Sequence, residues 1–179
     1  FVLSNNLTNT SMNFSFLSPN SQYQYNVTVY DRAGNANTTE TRTITLDDTQ
    51  PRGTYLPPTE SNNTFRTQNY VFINVSMFEA NLANITFGIR NDTWSNSTTI
   101  STATNMSLYL NFSMLSQNSQ YIYNATTYDL AGNVNISEER VITLDNTQPR
   151  TVYVAPTEAN DTYRTVNTIL VNVSLFEMN

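Results

Sequence analysis

The chain has 179 residues, a net charge of −6 and a pI near 4.4. All eight of its cations are Arg, too few to build a basic patch for nucleic acid. Lys, His and Cys are absent, which removes Schiff bases, isopeptide crosslinks, disulfides, thiolate nucleophiles, sulfur metal sites and the commonest general base.

Apolar and polar residues alternate with period two almost throughout, and no stretch sustains helical spacing, so the chain reads as all-β. In chain order, residues 1–46 open with Leu17-Ser18-Pro19-Asn20-Ser21-Gln22-Tyr23 before a Tyr-rich strand. Asp31-Arg32-Ala33-Gly34-Asn35 follows as a hairpin turn in which Gly34 supplies positive φ. A strand through Thr45-Leu46-Asp47 then passes, within about five residues that include Pro51, into an opening strand near Arg52–Leu56. Tyr70–Phe78 places Val71, Ile73, Val75 and Met77 on one face and Phe72, Asn74 and Ser76 on the other. Further strands read at Ile85, Phe87, Ile89, then at a poorly patterned Ser97–Thr104, then at Leu108, Leu110, Phe112, Met114. Tyr121, Tyr123, Ala125 and finally Ile142, Leu144 complete about seven strands.

The chain repeats itself. YQYNVTVYDRAGNANTTETRTITLDDTQPR from Tyr23 recurs as YIYNATTYDLAGNVNISEERVITLDNTQPR from Tyr121. The offset is a constant ~98 residues, and roughly 43 of the 81 comparable pairs are identical. That period suits a whole small domain better than a solenoid unit. The expected division is 1–46 as the later part of one repeat (strands E–G), 47–144 as a complete repeat, and 145–179 as the opening strands A–B of another.

The approach to Tyr23 resembles the L-x-P-x-T-x-Y segment of fibronectin type III and related immunoglobulin-like domains, with Ser21 for the Thr; the copy has Gln117 for Pro19. The resemblance implies tyrosine corners, with Tyr23 and Tyr121 burying their rings and returning their hydroxyls to the preceding turn. Y-x-Y-N-x-T-x-Y-D-x-A-G-N-x-N followed by T-L-D-x-T-x-P is similar to tandem immunoglobulin-like modules of large archaeal and bacterial cell-surface proteins. It covers Tyr23–Pro51 and Tyr121–Pro149 closely. The implied fold is a series of immunoglobulin-like β-sandwiches; the implied setting is extracellular and prokaryotic, archaeal by preference.

About sixteen N-x-S/T triplets occur where composition alone predicts six or seven. They start at Asn6, Asn9, Asn13, Asn26, Asn37, Asn62, Asn74, Asn84, Asn91, Asn96, Asn105, Asn111, Asn124, Asn135, Asn160 and Asn172. In strands the Asn is expected on the outward register each time, as at Asn26, Asn74, Asn84 and Asn111, and five pairs persist between copies. A dense N-glycan coat is the expectation, covering edge strands and solubilising a surface in which only 12% of residues are charged.

Carboxylates do not pair for catalysis: Glu138 and Glu139 are expected to point apart as strand neighbours, and Asp47 and Asp48 to sit in the linker. No enzyme is expected. Acids at repeat ends, Asp31, Asp47, Asp48, Glu79, Asp129, Asp145 and Glu177, are candidate calcium ligands in the cadherin manner, but no D-x-D-x-D spacing supports them and no other cofactor is implied. The short linkers predict fixed angles between repeats and a rod gaining roughly 30–40 Å per repeat. The leading expectation is a structural, N-glycosylated repeat of an extracellular fibre, sheath or stalk, whose partners are neighbouring repeats or subunits. The alternative is an adhesin, a carbohydrate-binding module using Trp94, Tyr30 and Tyr128, or a spacer of a secreted hydrolase. With no initiator Met, signal segment or long apolar run, the stretch is expected to be an excerpt of something longer, ahead of subunits completed by strand exchange.

Overall fold

In a computed structural model that describes residues 10–102 and 106–177, every helix or strand assigned is a strand. Residues 10–46 carry β1 (Ser21–Tyr25), β2 (Thr28–Tyr30), β3 (Ala36–Thr38) and β4 (Arg42–Leu46). The central stretch carries β5 (Arg52–Tyr55), β6 (Thr64–Arg66), β7 (Val71–Phe78), β8 (Leu82–Arg90), β9 (Ser95–Ser101) and β10 (Ser107–Phe112). It continues with β11 (Ser119–Asp129), β12 (Val134–Ile136) and β13 (Arg140–Leu144), after which come β14 (Arg150–Tyr153) and β15 (Val173–Phe176).

The central strands form two facing sheets. One has the order β10-β7-β5; the other runs β6-β13-β11-β8-β9, with β12 also on β11. Period-two patterning decides what lies between them. Val71, Ile73, Val75 and Met77 of β7 are buried against Leu82, Ile85, Phe87 and Ile89 of β8, with Tyr121, Tyr123 and Ala125 of β11 and Ile142 and Leu144 of β13 completing the cluster. Each such large side chain contributes about 1.5–3 kcal/mol by leaving water. The fold is an all-β sandwich of immunoglobulin-like type.

Four details depart from the sequence reading. β6 was not foreseen, because Thr64-Phe65-Arg66 shows no alternation and Phe65 is 65% exposed; it pairs parallel to β13 across a separation that no local pattern encodes. The last strand is split into β12 and β13. Its gap is filled by the Tyr55 hydroxyl, 2.7 Å from Ser137 Oγ and donating to the Glu138 carbonyl at 3.1 Å, while Ser137 Oγ accepts the Ala125 N–H. Glu138 and Glu139 therefore lie in this gap and not on a strand, yet they do separate, Glu138 pairing with Arg140 and Glu139 with Arg90 at 2.8 Å. Met114 is not a strand residue: β10 ends at Phe112, the backbone turns with φ 58° at Met114, and its side chain is 91% exposed while Leu115 turns inward.

The flanking segments reproduce the central register 98 residues away. Ser21 faces Leu46 as Ser119 faces Leu144, Thr28 faces Thr38 as Thr126 faces Ile136, and Arg150 faces Phe176 as Arg52 faces Phe78. Each flank carries only part of the strand set that closes the central sandwich. Counterparts of core residues are consequently exposed there: Tyr25, Val27 and Ile44 in the first flank, and Ile169, Val171 and Leu175 in the last.

Candidate functional surface

The turn before β11 brings Tyr121 back on itself. Its ring is buried, its hydroxyl accepts the Ser116 N–H at 2.9 Å, and it donates to the Ser116 carbonyl at 3.3 Å. Tyr23 makes the same pair of bonds with Ser18, at 2.8 and 3.2 Å, in a more exposed setting. Gln117, standing where the first copy has Pro19, donates to the Thr67 carbonyl at 3.2 Å and so ties the turn to the β6–β7 connection.

Asp31, Asp47, Glu79, Asp129 and Asp145 each accept N–H donors. In the turn between β2 and β3, Asp31 accepts the Ala33 and Asn35 amides and the Asn35 side chain, and these hydrogen bonds, the Asn35 side chain foremost, hold its carboxyl below the usual range. Asp129 accepts the Asn133 backbone and side chain in the matching turn, where Gly132 takes φ 95°. Glu79 is buried and accepts the Ala80 and Asn81 amides. Asp47 meets the central sandwich directly: its carboxylate accepts Asn81 Nδ2 at 2.6 Å and its carbonyl accepts Asn133 Nδ2 at 3.1 Å. Asp48 N–H is held by Asn20 Oδ1 at 3.0 Å, and Asp145 Oδ1 accepts Thr147 N–H. Glu177 lies in the chain after β15. Among the described residues no three acids come together in a group able to hold a metal ion. The junction is held by asparagine side chains bonded to the Asp47 carboxylate, the Asp47 carbonyl and the Asp48 N–H.

The sequons divide by environment. Asn6, Asn9 and Asn105 lie outside the described residues. Asn13, Asn26, Asn37, Asn62, Asn96, Asn111, Asn160 and Asn172 are exposed, and Asn74, Asn84, Asn91, Asn124 and Asn135 are half-buried. The outward register does not hold for all of them. Asn96 faces Ile89 and Asn135 faces Thr127, both core-facing partners, so these two asparagines stand on the inner register, Asn96 exposed and Asn135 half-buried.

Persistence between copies has a structural explanation at one pair. Asn74 Nδ2 donates to the Pro57 carbonyl at 3.0 Å, its backbone N–H donates to Thr59 Oγ1, and its carbonyl accepts Thr59 Oγ1 and Leu56 N. Asn172 repeats all four bonds with Ala155, Thr157 and Val154. These asparagines pin a loop, a role invisible in the triplet. Asn62 Oδ1 accepts Val141 N–H at 2.7 Å, and Asn91 Oδ1 organises the β8–β9 turn through Thr93 and Trp94.

The aromatic candidates do not converge. Trp94 packs edge-on against Tyr121, centroids 6.3 Å apart at 89°, near the start of β11, whereas Tyr128 lies near its end. Seven residues of strand separate them, roughly 23 Å, and Tyr30 belongs to β2 of the first flank. No described helix is long and apolar enough to cross a membrane.

An immunoglobulin-like sandwich with a polar, asparagine-rich surface is the class this fold and surface define, and the Ig-like all-β family is typically non-enzymatic. The comparison with protein families agrees over part of the chain: a family described as a bacterial Ig-like domain matches residues 3–48. That segment is the counterpart of the stretch that forms β10 to β13. A bacterial Ig-like domain points to a surface or extracellular module. No curated protein matches the chain.

Proposed function

We propose that the chain is a structural spacer of an extracellular prokaryotic surface assembly, a fibre, sheath or stalk in which immunoglobulin-like repeats follow one another at fixed angles beneath a coat of N-glycans. The observation that carries this reading is the junction at Asp47. Five residues separate β4 from β5, and within them Asp47 is gripped by the Asn81 and Asn133 side chains of the next sandwich while Asn20 of the preceding segment holds Asp48. Such a short, multiply bonded linker transmits tension from one sandwich to the next without a slack segment. Ladder hydrogen bonds and the interlocked core then bear the load. The sequon excess supplies the coat, and thirteen described sequon asparagines with none fully buried are compatible with it.

Electron microscopy of the purified repeat array, paired with glycopeptide mass spectrometry, tests both halves. Stiff rods with a constant spacing per repeat and sugar on most sequons are expected. Beads on a flexible string would refute the mechanical reading, and bare asparagines throughout would refute the glycoprotein reading.

A further inference from the structure

One asparagine within that glycoprotein reading has a surrounding that singles it out. Asn111 begins the sequon Asn111-Phe112-Ser113 and lies in β10, an edge strand bonded to β7 on one side only. Phe112 is buried in the core, so Asn111 takes the outer face and is exposed. Directly opposite it on β7 stands Phe72, and two residues earlier on its own strand, on the same face, stands Tyr109. The two rings stack at 5.3 Å between centroids with 22° between planes, and Tyr109 is 65% exposed. Facing residues on an antiparallel pair have Cβ atoms about 4.5–5.5 Å apart. An exposed sequon amide therefore adjoins a stacked aromatic pair in which Phe72 is half-buried and Tyr109 is exposed.

We infer that Asn111 carries an N-linked glycan whose first sugar lies on the Phe72–Tyr109 rings, so that the modification site is also a packing site. A pyranose presents C–H groups on one face, and that face removes aromatic surface from water when laid on a ring. The donor is a lipid-phosphate-linked sugar. Asn111 Nδ2 forms a bond to the sugar's C1, the C1–O bond to the carrier phosphate breaks, the phosphate leaves with that electron pair, and the amide loses one proton. The remaining N–H stays available as a donor. Asn74 contrasts with this arrangement, since it faces Tyr109 but commits its amide to Pro57. Asn13, the counterpart of Asn111, has Ser11 in place of Tyr109, and Phe72 becomes Leu170 in the next copy, so the aromatic floor belongs to the central sandwich.

The experiment expresses the chain in a host that glycosylates N-x-S/T sequons and in one that does not. Wild type, Asn111→Gln, Tyr109→Ser and the double variant are compared by glycopeptide mass spectrometry and by thermal melting followed through Trp94 fluorescence. In the glycosylating host, Asn111→Gln is expected to lower Tm by about 4 °C beyond its effect in the other host, and Tyr109→Ser to abolish most of that difference. First-sugar protons of the wild-type glycoprotein are expected upfield of their free values from the ring currents, a reading that stands even if Tyr109→Ser does not fold. A bare Asn111 beside occupied sequons overturns the inference while leaving the glycoprotein reading intact. Absence of sugar from every sequon overturns both. An occupied Asn111 with unshifted sugar protons, or with the same Tm loss in both Tyr109 backgrounds, overturns the packing.

Discussion

Replacing Tyr121 by Phe removes one oxygen and leaves the ring where it is. The buried ring keeps its edge contact with Trp94, but the Ser116 N–H loses an acceptor at 2.9 Å and the Ser116 carbonyl a weaker donor at 3.3 Å. The shorter bond is worth about 1 kcal/mol net, and leaving a part-buried N–H without a partner adds roughly half as much again, so the expected loss is about 1.5 kcal/mol. For a domain of this size that is a Tm decrease of roughly 8 °C. Urea unfolding followed by fluorescence of Trp94, the single Trp of the chain, isolates the central sandwich. The midpoint should fall while the slope stays constant, because the surface exposed on unfolding is unchanged. Tyr23→Phe makes the control: its same two bonds lie in an exposed turn of the first flank, outside the sandwich that Trp94 reports, and the Trp94 transition should not move. A loss at Tyr121 below about 0.5 kcal/mol, or an equal shift of the Trp94 transition in the two variants, would refute the argument.

The remaining predictions concern ionisation, the junction, a turn and the core. Burial, opposed by the nearby Arg140, raises the Tyr123 phenol from 10.0 to about 12. Its protonated form is thus favoured in the fold, so that stabilisation is complete below pH 10 and is lost as pH rises from there through about 12, a window that absorbance at 295 nm combined with circular dichroism will resolve. Asp47→Ala removes the partner of Asn81 at 2.6 Å, and residual dipolar couplings should show the flanking segment reorienting while the sandwich loses less than about 1 kcal/mol. Gly132→Ala places a Cβ at φ 95° in the β11–β12 turn, where the space is open but the backbone is strained, for an expected loss of about 1 kcal/mol by chemical denaturation. Ile73→Ala opens a cavity at a fully buried position and should cost about 3 kcal/mol by chemical denaturation.

What the sequence determined by itself is everything carried by short-range periodicity and by comparison of one copy with another. Val71, Ile73, Val75 and Met77 announce a strand with one buried face because side chains alternate at every residue, and Gly34 and Gly132 announce turns because only glycine accepts their φ without strain. Aligned copies similarly fix which residues must share a register. Tertiary structure decided the roles that depend on distant partners. It put Tyr55 into the gap beside Ser137, added β6 alongside β13, set Asn96 and Asn135 on the inner register, and turned Asn74 into a loop anchor through Thr59. The same separation applies to the surface asparagines. N-x-S/T is one local pattern, but whether its amide is bonded to a carbonyl, as at Asn74, or stands beside an aromatic pair, as at Asn111, depends on which strand lies next to it, and strand neighbours are chosen by the packing of the whole sandwich.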